Sequence, residues 1–284
     1  MTYEESKQKF IDMYNKCKIL GVDIIEASIF DYGWYSNDSN AKISMIVNEN
    51  NTFIFIPDGL YRDKDSCALH NIIEDKTSFK YEHKHEYIKI LGKCPKDASI
   101  LFCGLKIKFF DLSELDMSET TMLRSLFLLA NIDKVIFGNI KNAEVTEVVA
   151  MFASSDIKYI DNFELNTALV TDFSAMFEMT DIHRDLANIK LDTSNAKTYD
   201  NMYADATIHA DLDVSNFHKS MSTTSDMFRE IIITPNNKLI LNQIMYEYYK
   251  NVTEHYYLGK KYNYNVNIEQ YKVSIEQDKV IICN

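Results

Sequence analysis

The chain has 284 residues, of which 46% are apolar, and it contains only seven glycines and three prolines. This composition supports a buried core and excludes a collagen-like or largely disordered protein. Five scattered cysteines without a CxxC pair argue against a disulfide framework, and no apolar run is long enough to span a bilayer. The net charge is −12, and residues 110–236 alone carry that excess, with 9 Lys or Arg against 21 Asp or Glu.

The first segment, residues 1–99, is predicted to be a small α+β domain that also caps the region after it. Thr2 and Glu5 form a capping box and Gly21 is a helix stop, so we expect one helix between them. Three strand-like stretches follow, at residues 42–47, 52–56 and 87–91. The first two are expected to form a hairpin.

A short phrase, an apolar residue followed by an aromatic one, recurs five times in the middle of the chain. The steps between the aromatic residues are 25, 25, 26 and 25, and an isoleucine follows each aromatic after five residues. The five copies are Leu126-Phe127, Met151-Phe152, Met176-Phe177, Met202-Tyr203 and Met227-Phe228. A fixed period of this size is typical of a solenoid, in which each coil buries its apolar side against its neighbours.

Two periodicities alternate within each unit. Val170, Phe173, Met176 and Phe177 are spaced like one face of a short helix, and the next isoleucine begins an extended piece. We therefore predict an α/β fold over residues 100–236, with about five 25-residue helix–strand units whose strands stack into a parallel sheet.

The last segment, residues 237–284, is predicted to be a C-terminal cap that covers the exposed apolar end of the solenoid. A helix is expected at residues 238–251. A strand pair is expected at residues 271–275 and 280–283.

The repeats resemble a known family. Residues 166–177 read Asn-Thr-Ala-Leu-Val-Thr-Asp-Phe-Ser-Ala-Met-Phe, and residues 191–203 carry Leu-Asp-Thr-Ser-Asn ahead of Met-Tyr. This pattern is similar to the core of the BspA-like leucine-rich repeat proteins of bacteria, over about residues 110–236. The resemblance implies a leucine-rich-repeat-like solenoid that binds host or bacterial proteins at the cell surface, and it implies no catalytic residues.

One group of residues has the chemistry of a zinc site. Cys67 and His70 are followed by His83 and His85, and cysteine and histidine are zinc ligands. Their spacing fits no common structural zinc pattern, and the acidic and basic neighbours of the two later histidines are also typical of a solvated turn. We expect no metal and no cofactor.

Catalytic motifs are absent from the sequence: it has no GxGxxG, P-loop, GxSxG or HExxH. His183, His209 and His218 lie in the repeats at what read as different phases, so we expect them to form no column. The sequence therefore predicts a protein that is not an enzyme.

Acidic residues in register are the first candidate contact surface. Glu147 and Asp172 share one repeat phase, and Asp156 and Asp181 share another, so each pair is expected to stack along one wall. Such a ladder repels itself and favours a basic partner. Carboxylates at helix N-termini are the alternative interpretation, above all for Asp172.

Aromatic residues near the N-terminus are the second candidate. Trp34 is the only tryptophan, and it stands with Tyr35 beside the polar Ser36-Asn37-Asp38. Tryptophan and tyrosine are favoured anchors of protein interfaces. The alternative is a loop that packs against the N-terminal core.

Together these features predict a non-enzymatic protein–protein interaction module. Its acidic solenoid would engage a basic protein surface, with no direct contact to nucleic acid or membrane. The start of the sequence shows no leader, which favours a cytoplasmic role, such as a phage- or mobile-element-type inhibitor of a nucleic-acid-binding protein. The alternatives are an adhesin whose leader was removed and a zinc-binding or enzymatic N-terminal domain.

Overall fold

A computed structural model describes residues 2–22, 24–28, 34–38, 41–48, 51–62, 69, 72, 86–217, 226–251, 255–257, 260–262, 272–276 and 279–283.

The N-terminal helix has the predicted ends. Helix α1 spans Tyr3–Leu20, and the Glu5 N–H donates to Thr2 Oγ1 (3.4 Å) while the Thr2 N–H donates to Glu5 Oε2 (2.9 Å). Gly21 has a φ of 70°, the left-handed conformation that ends the helix. Phe10 stacks on Phe55 at 5.1 Å and fastens the helix to the sheet beneath it.

Six strands follow before the first coil: β1 Ile24–Ser28, β2 Trp34–Ser36, β3 Lys42–Asn48, β4 Asn51–Ile56, β5 Leu60–Arg62 and β6 Tyr87–Lys93. Strands β3 and β4 pair antiparallel, so the predicted hairpin is confirmed. Strands β2 and β5 form a separate antiparallel pair. Strand β6 then pairs with β4 in parallel, which begins the run of parallel strands that the solenoid continues.

Seven strands belong to the coils: β7 Lys106–Asp116, β8 Asn131–Ile136, β9 Asp156–Asp161, β10 Asp181–Ile182, β11 Thr207–Ile208, β12 Leu212–Asp213 and β13 Ile232–Ile233. All except β12 join one ten-stranded sheet in the order β1-β3-β4-β6-β7-β8-β9-β10-β11-β13. Pairing is parallel from β4 onward. The sheet therefore runs without interruption from the N-terminal segment into the solenoid.

The repeated aromatic residues form a single buried file. Successive rings from Phe127 through Phe152, Phe177 and Tyr203 to Phe228 stack at 5.6, 5.6, 5.2 and 5.8 Å, with interplanar angles of 9° or less. The predicted solenoid is confirmed, because its central residues align in the interior as the period requires.

The file has one more member than predicted. The ring centroid of Phe102 lies 5.5 Å from that of Phe127, and Ile107 pairs with Ile132 in the isoleucine column. Leu101-Phe102 and Ile107 obey the same spacing as the other copies, so the sequence carried this signal. Six rings therefore form the file, and the solenoid has six coils rather than the five predicted.

The segments predicted as helices are runs of turns. The Leu126 N–H bonds to the Leu123 carbonyl within its coil, whereas the Phe127 N–H bonds to the Met151 carbonyl of the next coil. Because every second N–H group donates its hydrogen bond to a carbonyl of the neighbouring coil, the hydrogen bonds of an α-helix cannot form. Consecutive turns give the same spacing of buried residues as a helix, so the spacing alone does not distinguish the two, and the predicted helices of the repeats are wrong.

Each coil bends at two residues with positive φ, four positions apart. Ala150 and Ser154 both have a φ of 54°, and equivalent pairs recur in the other coils. Among described residues 100–236, helical structure is limited to a 3₁₀ turn at Ile140–Asn142 and the four-residue helix α2 at Arg184–Ala187. The fold is therefore mostly β.

The C-terminal segment contains β14 Lys238–Asn242, α3 Gln243–Asn251, β15 His255–Tyr257, β16 Lys260–Tyr262, β17 Lys272–Glu276 and β18 Lys279–Cys283. The predicted strand pair is confirmed as β17 and β18. The predicted helix begins later, because its first five residues pair with β12 and β18 in a second sheet of order β12-β14-β18-β17. The Met245 N–H donates to Asn242 Oδ1 (2.9 Å), which caps the start of α3.

Candidate functional site

The outward face of the parallel sheet carries the candidate site. The column isoleucines Ile157, Ile182 and Ile208 are buried, so the residue on either side of each points to solvent. The residues before the isoleucines form one outward column, and the residues after them form another. In the four coils that contain β8, β9, β10 and β11, the first column is Asn131, Asp156, Asp181 and Thr207, and the second column is Asp133, Lys158, His183 and His209.

Two histidines and two aspartates meet on this face. The imidazole Nε2 of His183 bonds to Asp156 Oδ1 at 2.9 Å, and that of His209 bonds to Asp181 Oδ1 at 2.8 Å. The two imidazole rings stack on each other, with centroids 4.9 Å apart and an interplanar angle of 13°. We call these four residues the histidine–aspartate patch.

The patch corrects one sequence interpretation. From the sequence, His183 and His209 are predicted to lie at different phases, yet each directly follows the column isoleucine of its coil. The step between these two coils is 26 residues rather than 25, for the histidines as well as for the aromatic rings. Counting from the isoleucines instead of along a uniform period would have placed the two imidazoles together.

The predicted alignment of Asp156 and Asp181 is confirmed, since the two residues are partners in the parallel pairing of β9 and β10. The neighbouring lysine, Lys158, bonds to Asp133 at 2.5 Å, and this bond is the main reason that its pKa is raised. The ammonium of Lys158 is thus bound by Asp133 and not by a carboxylate of the histidine–aspartate patch.

The other acidic pair has local roles. Glu147 forms an ion pair with Arg124 of the preceding coil. Asp172 accepts the Ser174 N–H at 2.8 Å and closes a turn. Asp172 does not lie at a helix N-terminus, because its segment is a run of turns. These two side chains stabilise the coils, so they are weaker candidates for a partner than Asp156 and Asp181.

The turn at Asp172 recurs along the chain. In each case an aspartate accepts the N–H of the serine two residues later, at 2.8 to 3.1 Å. The aspartates are Asp97, Asp111, Asp116, Asp172, Asp192 and Asp213. Part of the acidic excess of the repeats therefore has a structural cause, since a short carboxylate can close such turns.

The aromatic candidate divides into a buried and an exposed residue. Trp34 is only 1% exposed and belongs to the main core, so its proposed role as an exposed interface anchor is wrong. Tyr35 is 37% exposed and stacks on Tyr61 at 5.8 Å. The strand alternation of β2 explains the difference, because neighbouring side chains point to opposite faces.

The zinc candidates Cys67, His70, His83 and His85 lie outside the described residues. Within the described part of the chain, no group of three or more potential ligands is placed to hold a metal ion. Burial raises the pKa of the Cys94 thiol to about 12, which keeps it protonated and makes it a poor nucleophile.

Comparison of the chain with protein-family models, with curated proteins and with solved structures gives no match. Among the described residues, no helix combines the length and the apolar character that a bilayer crossing needs.

Proposed function

We propose that this protein is a non-enzymatic interaction module whose histidine–aspartate patch binds a basic segment of a partner protein. The observation that carries the proposal is the pair of carboxylates of Asp156 and Asp181, which lie on neighbouring strands and are each oriented by an imidazole. The patch lies on an outward sheet face rather than in a cleft, which suits a surface contact.

The spacing of the two carboxylates fits an arginine side chain. Neighbouring strands lie about 4.8 Å apart, so one planar guanidinium can donate to both carboxylates at once. The imidazoles of His183 and His209 hold the carboxylates in place, which reduces the entropy lost on binding. Tyr159, 55% exposed on the same coil as Asp156, offers a ring for further contact with a cation.

The charge of the solenoid supports the same kind of partner. Residues 110–236 carry a net charge of −12, which attracts basic proteins over a distance and repels phosphate groups. A basic surface that binds nucleic acid is such a partner. We therefore propose that the protein competes with nucleic acid for this surface and acts as an inhibitor of a nucleic-acid-binding protein.

The patch is tested by binding a fluorescein-labelled octa-arginine peptide, measured by fluorescence anisotropy. Replacing both carboxylates, Asp156→Asn with Asp181→Asn, is expected to weaken binding at least about tenfold, because two charge-assisted hydrogen bonds are lost. The matched control is Glu144→Gln with Glu164→Gln, which removes the same charge from exposed positions elsewhere on the repeats. The control is expected to bind within about twofold of the unmodified protein.

Two further readings complete the test. Raising the salt from about 50 mM to about 300 mM should weaken binding, because exposed charges are screened. The unmodified protein should also displace labelled single-stranded DNA from the peptide. Equal losses in the two double variants would assign the binding to overall charge and contradict the role of the patch.

We also propose the finer fold assignment, a degenerate leucine-rich repeat of the BspA-like type. Its support is the agreement in phase of the apolar–aromatic pair, the isoleucine five residues later and the Asp-Thr-Ser-Asn turn at residues 192–195. In such a solenoid the units differ mainly in their outward residues, which is where the histidine–aspartate patch lies.

A further inference from the structure

Strand β17 lies at the edge of the second sheet. The order β12-β14-β18-β17 places it last, and among the described strands its neighbour is β18 alone. An edge strand presents a row of N–H and C=O groups that can pair with another chain.

The apolar residues of β17 are exposed, in contrast to their partners. Val273 is 38% exposed and Ile275 is 61% exposed. The residues opposite them on β18, Ile282 and Val280, are at most 3% exposed. Directly opposed residues share one sheet face, so Val273 and Ile275 lie on the same face as the core residues of β18. Because β17 extends beyond the core, these two side chains stay uncovered.

The sequence of β17, Lys-Val-Ser-Ile-Glu, is complementary to itself when reversed. In an antiparallel pair centred on Ser274, Lys272 stands opposite Glu276 of the second strand, and Val273 stands opposite Ile275. Such a pair joins opposite charges at both ends and apolar residues between them, and cross-strand pairs of both kinds are stabilising.

The hydrogen-bond pattern agrees with this register. Glu276 and Lys279 close the hairpin of β17 and β18 across two residues, and the closing pair of such a hairpin exchanges both backbone bonds. Bonded pairs alternate along the ladder, so the backbone groups of Val273 and Ile275 point away from β18. In the self-paired register, the backbone groups of Val273 in one strand face those of Ile275 in the other.

We propose that β17 pairs with β17 of a second copy of this chain across a twofold axis, so that two four-stranded sheets become one. The contact is isologous, since each copy contributes the same patch. Five-residue strands bury less area than a permanent dimer needs, so the association is weak and depends on protein concentration.

Sedimentation velocity over a range of protein concentrations tests the proposal. The unmodified chain should shift from monomer to dimer as its concentration rises. In a dimer of the Lys272→Glu variant, or of the Glu276→Lys variant, residues 272 and 276 carry the same charge and oppose each other at both ends of the strand pair. Each variant should therefore raise the dissociation constant of the dimer about tenfold or more. An equimolar mixture of these two variants should associate again, because every opposed pair in the mixed dimer is of opposite charge.

A backbone variant tests the hydrogen bonds. Val273→Pro removes an N–H that points away from β18, so the hairpin should persist, as thermal unfolding followed by circular dichroism would verify. This variant should remain monomeric. The proposal is overturned if the unmodified chain stays monomeric at the highest concentration, if Lys272→Glu dimerises as well as the unmodified chain, or if the mixture of charge variants fails to associate.

Discussion

The interior and the outward face of the same coils follow different rules. Inside, one column holds Phe102, Phe127, Phe152, Phe177, Tyr203 and Phe228, so the residue type hardly changes over six coils. Outside, the column after each isoleucine changes from Asp133 to Lys158 and then to two histidines. Packing repeats because each ring must fit the next ring, whereas solvent accepts any polar residue. The outward positions are therefore free to be adapted to a partner, and the histidine–aspartate patch lies among them.

The largest effect is expected when the interior file is broken. Phe177 is 2% exposed and stacks on both Phe152 and Tyr203, so Phe177→Ala should lower the free energy of unfolding by about 3–5 kcal/mol. Chemical denaturation measures this loss. The matched control is Phe109→Ala, at a position that is 48% exposed, where the loss should be well under half as large. Equal losses would mean that the rings of the file are not the packed interior of the solenoid.

The second prediction compares a buried aspartate with a partly exposed one on the outward face. Burial by itself raises the pKa of Asp116, but hydrogen bonds from Asn139, Ser118 and Lys93 outweigh it and hold the pKa at about 2. The folded protein thus favours the ionised form, and this stabilisation is complete above about pH 4 and is lost as the pH falls toward 2. Asp116→Asn should therefore cost about 2 kcal/mol at neutral pH.

Urea unfolding of the Asp116→Asn variant and of the unmodified chain at several pH values measures this difference, which should shrink on acidification. Asp156→Asn is the control on the outward face and should change stability by no more than about 0.5 kcal/mol. A cost that is the same at every pH would show that Asp116 acts through shape and not through its charge.

The smallest effect concerns the turns that bend each coil. Ala150 has a φ of 54°, a conformation that costs a residue with a Cβ about 1 kcal/mol, so Ala150→Gly should raise the free energy of unfolding by up to about 1 kcal/mol. Ala168→Gly, in the same solenoid but without a positive φ, should instead lower it by about 0.5–1 kcal/mol. Thermal unfolding of both variants compares the two signs, and a loss of stability at both positions would contradict the strain at Ala150.

The sequence by itself determined the period, the identity of the buried columns and the caps of the first helix. These features depend on local patterns: the Thr2–Glu5 capping box lies within one turn, and the isoleucine always follows its aromatic by five residues. Only the tertiary structure decided that the repeats are turns rather than helices. The N–H of Phe127 bonds to the next coil, and that choice depends on a neighbour 24 residues away.

The tertiary structure also decided which candidate residues meet. The burial of Trp34 and the stacking of His183 on His209 depend on which way each strand faces and on one inserted residue between two coils. The spacing of the isoleucines indicates that the two histidines are neighbours, but no local pattern indicates that Trp34 is buried. Local patterns thus specify which residues of a coil are buried, whereas contacts between coils specify the backbone structure of each coil and which side chains share a surface, because those contacts join residues that are distant along the chain.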